Sequence, residues 1–205
     1  MSGSAAKPKI AILLSGRGSN FEAIARNVRE GRLHCQIGYV FSNRPDAAGL
    51  LRARELGLPH GCLQPSGIDR AAYDAQLAGL LQSRDIDWVC LAGYMRILSG
   101  AFISRFAGRI LNIHPSLLPA FPGLDAQHQA LVHGSKITGC TVHLVDETLD
   151  SGPILLQAAV PVLDDDTIET LSERILVEEH RIYSEALAWM LAGNYRIEGR
   201  RVVRT

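Results

Sequence analysis

The stretch that decides the fold lies near the start of the chain and reads Lys9-Ile10-Ala11-Ile12-Leu13-Leu14, followed by Ser15-Gly16-Arg17-Gly18-Ser19-Asn20. The near-continuous apolar run is typical of a strand that is buried on both faces of a parallel sheet. Apolar residues then recur at helical spacing from Phe21 to Val28, which predicts a helix. The junction is therefore the strand, loop and helix that begin a βαβ unit.

The same alternation continues over the first two-thirds of the chain. Strands are predicted at 36–41, 59–63, 88–92 and 109–113, and helices at 47–56 and 68–83. Such alternation predicts an α/β fold with a doubly wound, mostly parallel sheet. Ligands of such sheets bind at the carboxyl ends of the strands. In this chain those ends are residues 15–20, 42–44, 93–96 and 112–116.

The pattern changes after Pro115. Residues 117–136 are rich in Pro, Gly and polar groups, which indicates a long functional or mobile connection. Two strands are predicted at 138–145 and 154–160, then a helix at 168–191 and a hairpin at 195–205 that turns at 198–199. These elements predict a C-terminal antiparallel addition. We expect a single domain over residues 1–205, with residues 1–8 as a frayed lead.

Length and composition restrict the class of protein. The chain has 205 residues, a length that suits one domain, and its 21 basic and 21 acidic side chains balance to zero. A zero balance argues against a generally basic nucleic-acid binder. Residues 1–110 nevertheless carry 14 basic and 8 acidic side chains (+6), and residues 111–205 carry 7 and 13 (−6).

Targeting signals and metal motifs are not predicted. Residues 1–8 have no apolar core of a signal peptide, and no run approaches the roughly 18 apolar residues of a membrane span. The four cysteines lie far apart, which favours reduced thiols in a cytoplasmic protein over a disulfide or zinc framework. Residues 164–167 (DDDT) offer cap residues for the helix at 168–191, which is predicted to end at Gly193, and the acidic run 164–166 is interpreted as part of this cap and not as a metal site.

The glycine loop at 15–20 has two interpretations. Glycines let the backbone approach a ligand, and the start of a helix offers N–H groups to an anion. Alternatively the loop is a tight turn, with Ser19 or Asn20 capping the helix. It is not the dinucleotide fingerprint, because Phe21 stands where the third glycine belongs.

Asn112 and His114 lie at the carboxyl end of the strand predicted at 109–113, with His114 directly after it. Two residues apart in a strand, they face the same side. An amide donor and an imidazole on one face can stabilise an oxyanion and transfer a proton. The alternative is a pair of hydrogen-bonded strand-end residues without chemistry.

The turn at 146–153 holds Asp146, Glu147 and Asp150. One of these carboxylates, placed near His114, would orient the imidazole ring and favour its charged form.

Six blocks taken together resemble a known family. They are 15–20 (SGRGSN), 40–43 (VFSN), 91–98 (LAGYMRIL), 112–123 (NIHPSLLPAFPG), 146–153 (DETLDSGP) and 178–180 (EEH). In this order and spacing they resemble the glycinamide ribonucleotide transformylase (phosphoribosylglycinamide formyltransferase) family of folate-dependent formyltransferases. The resemblance runs from about Lys9 to Leu191.

The resemblance implies a Rossmann-like formyltransferase fold and transfer of the formyl group of 10-formyltetrahydrofolate to the amine of glycinamide ribonucleotide, in purine biosynthesis and without a metal. By motif, Asn112 and His114 would stabilise the oxyanion, and Asp150 would support His114 and proton transfer. The family's ribonucleotide-binding positions fall on Gly18, Ser19 and Asn20 for the phosphate and on Glu179 for the ribose. Its folate-binding positions fall on Met95, Arg96, Ile97 and Leu98.

Partners and departures follow from the same resemblance. It implies a cytoplasmic monomer or homodimer that acts on small molecules, without nucleic acid or membrane. Arg17 fills a loop position that relatives often give to a small polar residue. Residues 124–128 (LDAQH) depart from the histidine-bearing stretch of relatives, because position 125 is an aspartate and not a histidine.

Three rival functions share parts of this pattern. Methionyl-tRNA formyltransferases carry a further C-terminal nucleic-acid-binding domain, which we do not expect here. Formyltetrahydrofolate deformylases are hydrolases that have His-His-Ser where this chain has His114-Pro115-Ser116. A nicotinamide-binding oxidoreductase would need the third glycine and an acidic residue after the second strand, where this chain has residues 42–44 (SNR).

Overall fold

The computed structural model describes residues 6–205, so the first five residues of the predicted lead lie outside the described part of the chain. The chain divides into two compact units, of which the first ends at Arg109 and the second begins at Ile110. The charge balance was counted for residues 1–110 and 111–205, one position away from this boundary. Because Ile110 is uncharged, the first unit keeps the balance of +6 and the second unit the balance of −6. The basic and acidic halves of the chain are therefore two different structural units.

The first unit alternates strands with helices. Its strands are β1 (Lys9–Leu14), β2 (Gln36–Ser42), β3 (His60–Cys62) and β4 (Trp88–Leu91), and its helices are α1 (Ser19–Arg29), α2 (Ala48–Glu55), α3 (Arg70–Gln82) and α4 (Gly100–Arg105). The strands pair in the order β3-β2-β1-β4, and every pairing is parallel.

Burial explains why β1 reads as an apolar run. Each residue from Ile10 to Leu14 is 0% exposed, because β1 lies between β2 and β4. Burying one large aliphatic side chain contributes about 1.5–3 kcal/mol, so this strand is a major source of stability. The register sets Leu14 beside Ser42 and Leu13 beside Leu91, which aligns the carboxyl ends of the three strands.

The second unit contains the antiparallel addition. Its strands are β5 (Ile110–His114), β6 (Ile137–Leu144), β7 (Ile154–Pro161), β8 (Tyr195–Glu198) and β9 (Arg201–Arg204), and its helices are α5 (Ala126–Val132) and α6 (Ile168–Ala192). β6 pairs antiparallel with β5 and β7, β9 pairs parallel with β7, and β8 closes a hairpin with β9. The predicted α/β class, with a mostly parallel sheet and a C-terminal antiparallel addition, is confirmed.

Helix α6 packs against β5, β6 and β7. Thr167 caps its start by accepting a hydrogen bond from the Thr170 amide, and Gly193, with φ of 72°, ends it. Just before the cap, Asp166 forms a two-pronged ion pair with Arg174, which holds the pKa of the Asp166 carboxyl below its usual range. The acidic run therefore supports the start of α6, as the sequence predicts.

Two helices were not predicted. α4 has six residues and α5 has seven, and helices of about two turns are too short to show a clear 3.6-residue periodicity. α5 lies inside residues 117–136, so part of that segment is ordered helix and not a plain connection. No helix within residues 6–205 is long and apolar enough to cross a membrane.

Candidate active site

Pairing of β5 with β6 builds a cluster of polar side chains in the second unit. Asn112 lies opposite His143 and His114 lies opposite Thr141 in the antiparallel register. Asn112 Nδ2 is 3.1 Å from His143 Nε2. The strand-end pair predicted from the sequence is therefore extended by two polar residues of the neighbouring strand.

The environment of His143 fixes its tautomer. His143 Nδ1 lies 2.8 Å from the Leu144 carbonyl, which only accepts hydrogen bonds, so Nδ1 carries the hydrogen. Nε2 then accepts from the Asn112 amide nitrogen. Burial lowers the pKa of His143, which agrees with a neutral ring. This bond turns the nitrogen of the Asn112 amide, rather than its oxygen, toward His143.

His114 is enclosed by hydrogen-bond acceptors. Its side chain is 6% exposed, its Nε2 donates to the Phe121 carbonyl at 2.8 Å, and its Nδ1 lies 3.4 Å from Asp150 Oδ2. A neutral ring that donates from Nε2 would turn the lone pair of Nδ1 toward a carboxylate. The doubly protonated imidazolium satisfies both neighbours.

Asp150 is the carboxylate of the 146–153 turn that meets the imidazoles. Its Oδ2 accepts from the Gly123 amide at 2.8 Å, and its Oδ1 lies 3.7 Å from His143 Nε2. The residue has a φ of 49°, a conformation that L-residues rarely adopt. Asp146, in contrast, accepts from the Thr148 amide at 2.9 Å and so supports the turn.

Glycine shapes this turn where it approaches β6. A Cβ on Gly152 would lie 1.9 Å from the Leu144 carbonyl oxygen, so only glycine fits there without a backbone shift. The Leu144 amide in turn donates to the Pro153 carbonyl at 2.9 Å. These contacts hold the end of the loop that carries Asp150.

The structure thus brings Asn112, His114 and Asp150 into one cluster. Spacing predicts only the pair of Asn112 and His114, and the family resemblance adds Asp150. His143 belongs to the same cluster and was missed by the sequence analysis. Its signal was present in the sequence, because Thr141 and His143 are alternating polar residues near the end of the mostly apolar strand β6, where both are buried. What the sequence lacks is the register that sets His143 opposite Asn112.

In the first unit, the glycine loop packs closely on α2. Gly18 has a φ of 80°, and a Cβ there would lie 2.9 Å from Gly49 Cα. The Gly49 amide also donates to the Gly16 carbonyl at 3.1 Å. Gly18 itself occupies the cap position of α1 and no side chain caps the helix, so the alternative in which Ser19 or Asn20 caps it is wrong.

Ser15 joins the loops that follow three strands of the first unit. Its hydroxyl donates to Asn43 Oδ1 at 2.6 Å and accepts from the Met95 amide at 2.8 Å. The Ser15 amide donates to the Gly93 carbonyl at 3.0 Å. No role is predicted for Ser15 from the sequence, and the structure identifies it as the link between the glycine loop and the 95–98 stretch.

The four residues of the 95–98 stretch divide by burial. Met95 and Ile97 are 68% and 59% exposed, whereas Leu98 is 5% exposed and belongs to the core. The Arg96 guanidinium stacks on the Tyr73 ring at 4.3 Å from its centroid. An exposed apolar pair on either side of a guanidinium is available to a ligand, but the Leu98 side chain is not.

Glu179 lies on the buried face of α6 and is 8% exposed. Burial, and then the Glu179 carboxylate, raise the pKa of the Cys140 thiol to about 12, so Cys140 stays protonated.

All four cysteines are free. Among residues 6–205, no group of three or more His, Cys, Asp or Glu side chains could hold a metal ion. Arg17 is exposed, and Asp125 takes the cap position of α5 with a φ of 56°.

The sequence of the chain also matches that of a known protein family. Residues 8–187 match the sequence profile of a family described as formyl transferase.

The chain belongs to this family.

Two relatives of known name are similar to this chain in sequence. The chain is 44% identical over 189 residues to phosphoribosylglycinamide formyltransferase of Escherichia coli, a match that covers 92% of this chain and 89% of that one. It is 45% identical over 192 residues to the human trifunctional purine biosynthetic protein adenosine-3, covering 93% of this chain but only 19% of that longer protein.

Solved structures share the fold. The structure of glycinamide ribonucleotide transformylase 1 from Symbiobacterium toebii superposes with a TM-score of 0.96 at 52% identity, covering 100% of this chain and 99% of that one. A formyltetrahydrofolate deformylase from Pseudomonas syringae superposes with a TM-score of 0.90 at 29% identity, covering 98% of this chain and 67% of that one. The deformylase is the more distant of the two in sequence.

Proposed function

We propose that this chain transfers the formyl group of 10-formyltetrahydrofolate to the amine of glycinamide ribonucleotide, a step of purine biosynthesis. The observation that carries the proposal is the position of His114 between the Phe121 carbonyl and the Asp150 carboxylate, with the Asn112 amide joined to the same cluster through His143. Membership of the formyl transferase family supports it. The similarity to enzymes named for this reaction supports the choice of acceptor.

In the proposed reaction the substrate amine attacks the formyl carbon, and the carbonyl oxygen becomes an oxyanion. The Asn112 amide nitrogen has two hydrogens. One is directed to His143, and the second is available to the oxyanion. The His114 imidazolium supplies positive charge in a buried site, where such stabilisation is strongest.

The same reaction needs one proton to move. The attacking nitrogen loses a proton as its bond to carbon forms, and N10 of the folate gains one as its bond to carbon breaks. Asp150 keeps His114 charged by facing its Nδ1, and a water molecule beside Asp150 would relay the proton. Each group thus has one task, and no metal is required.

The binding residues are proposals of the same kind. Gly18, Ser19 and Asn20 form the start of α1, where helix N–H groups favour a phosphate. Glu179 would bind the ribose hydroxyls. Met95 and Ile97 offer exposed apolar contacts to the folate, and Arg96 offers a cation to its glutamate tail, whereas Leu98 contributes only through its backbone.

We also propose a cytoplasmic enzyme whose partners are these two small molecules. Its four free cysteines suit a reducing compartment. The competing activity is hydrolysis of the formyl donor, as in the deformylases, in which water replaces the amine as the acceptor.

Formyl transfer to glycinamide ribonucleotide, measured against water as the acceptor, tests the proposal. The wild-type chain is incubated with 10-formyltetrahydrofolate with and without the ribonucleotide, and both formylated ribonucleotide and formate are quantified. We expect the formylated ribonucleotide in its presence and little formate in its absence. Formate release at the same rate with and without the ribonucleotide would identify a hydrolase and refute the proposal.

A further inference from the structure

The segment that follows His114 has to hold one carbonyl in place. Phe121 accepts the Nε2 hydrogen of His114, although it lies seven residues further along the chain. Residues 116–121 contain no helix or strand, and apart from the Ala120 amide, which donates to the Leu117 carbonyl at 3.0 Å, side-chain contacts fix their path. One such contact is local, because the Ser116 hydroxyl donates to the Ala120 carbonyl at 2.5 Å.

The other contacts converge on the hydroxyl of Thr141, on strand β6. Thr141 is fully buried, and its Oγ1 donates to the Ser116 carbonyl at 2.6 Å. The same oxygen accepts from the Leu118 amide at 3.0 Å. A hydroxyl has one donor and two acceptor positions, so one acceptor position remains.

Gln157, on strand β7, fills that last position. Its Nε2 donates to Thr141 Oγ1 at 2.9 Å and to the Leu118 carbonyl at 2.9 Å. The register sets Gln157 opposite Thr141, so this contact is built into the pairing of β6 with β7. With both hydrogens of the Gln157 amide engaged, the Thr141 hydroxyl is saturated and its direction is fixed.

We propose that Gln157 is a positioning residue for the reaction, which acts through Thr141 and the 116–121 segment to hold the Phe121 carbonyl against His114 Nε2. The inference rests on the proposed function of His114. Gln157 does not contact His114, Asn112 or Asp150 in the structure, and its own side chain lies toward the surface. Its role is to keep the Nε2 hydrogen in place, so that His114 presents Nδ1 to Asp150.

The decisive variant is Gln157→Leu, which keeps the approximate size of the side chain and removes both donors. Because residue 157 is exposed, we expect the variant to fold. Its matched control is Gln36→Leu, the same change at an exposed strand residue of the first unit. Thr141→Ser, which keeps the hydroxyl, and Thr141→Val, which removes it, provide a second pair.

The readouts are kcat and both KM values in the formyl-transfer assay, compared between each variant and its control. We expect kcat of Gln157→Leu to fall roughly tenfold while both KM values change less than about twofold, because the variant affects the chemical step and not binding. Asp150, which faces His114, and His143, which lies beside Asp150, are unchanged in all these variants.

Failure of this inference can be told apart from failure of the proposed function. A wild-type chain that forms no formylated ribonucleotide would refute the proposed function. An active wild type with a Gln157→Leu variant of equal kcat would overturn the positioning role. A change in KM alone, or equal losses in Thr141→Ser and Thr141→Val, would also overturn it.

Discussion

His114 and Asp150 face each other with 3.4 Å between Nδ1 and Oδ2, although 36 positions separate them in the sequence. Both side chains are less than a tenth exposed, so their interaction is only weakly screened by water. The Gly123 amide binds the same oxygen of Asp150 and fixes its direction. This pair, with the Asn112 amide beside it, is the geometry on which the proposed chemistry depends.

Substitution of the phosphate-loop residues should affect one substrate selectively. Ser19→Ala and Asn20→Ala are expected to raise KM for glycinamide ribonucleotide, because each removes a side-chain donor at the start of α1, where the phosphate is proposed to bind. KM for the formyl donor should change little. Steady-state kinetics with each substrate varied in turn measure both values, and an effect confined to the folate would refute this assignment.

Gly18 should be sensitive to the smallest side chain. Gly18→Ala combines a φ of 80° with a Cβ only 2.9 Å from Gly49 Cα, so we expect the free energy of unfolding to fall by about 1–3 kcal/mol. Gly16→Ala is the matched control, since a Cβ there meets nothing within 4 Å. Denaturant titration compares the two variants. Equal stability of both would show that the close approach to α2 does not constrain the loop.

His143 should make the folded state sensitive to acid. Its pKa is lowered in the folded protein by burial, so below the ordinary value of 6.5 the unfolded chain binds a proton that the folded chain does not. Stability contributed by the neutral ring is therefore complete above pH 6.5 and is lost as the pH falls below it. Each unit of depression in the pKa corresponds to about 1.4 kcal/mol.

Thermal melting across pH 5 to 8 tests this dependence. His143→Gln keeps an oxygen that can accept from Asn112 and does not titrate. We expect the wild-type Tm to fall more steeply than the Tm of the variant between pH 6.5 and pH 5. Parallel curves for the two proteins would show that His143 does not carry the acid sensitivity.

Local signals explain what the sequence predicted well. Strand β1 was predicted with its exact bounds because five consecutive buried residues leave no ambiguity of pattern. Helix α6 was predicted within one residue at its end because Thr167 and Gly193 cap it through contacts with near neighbours in the chain. Such contacts are set by spacing along the sequence, so they can be read without the fold.

The candidate site depended on contacts between distant residues. Spacing alone did not decide between Asp146, Glu147 and Asp150, and only the family resemblance pointed to Asp150. What distinguishes Asp150 in the structure is its positive φ and its bond to the Gly123 amide, 27 positions away. His143 was missed for the same reason, since its partner Asn112 is set by strand register.

The most direct test of the central claim is single-turnover formyl transfer by His114→Ala and Asp150→Asn, with binding of each substrate measured separately at equilibrium. We expect the transfer rate to fall by about a hundredfold or more in both variants, while the affinity for the formyl donor stays close to that of the wild type. A wild-type transfer rate in either variant would contradict the assignment of the chemistry to this pair.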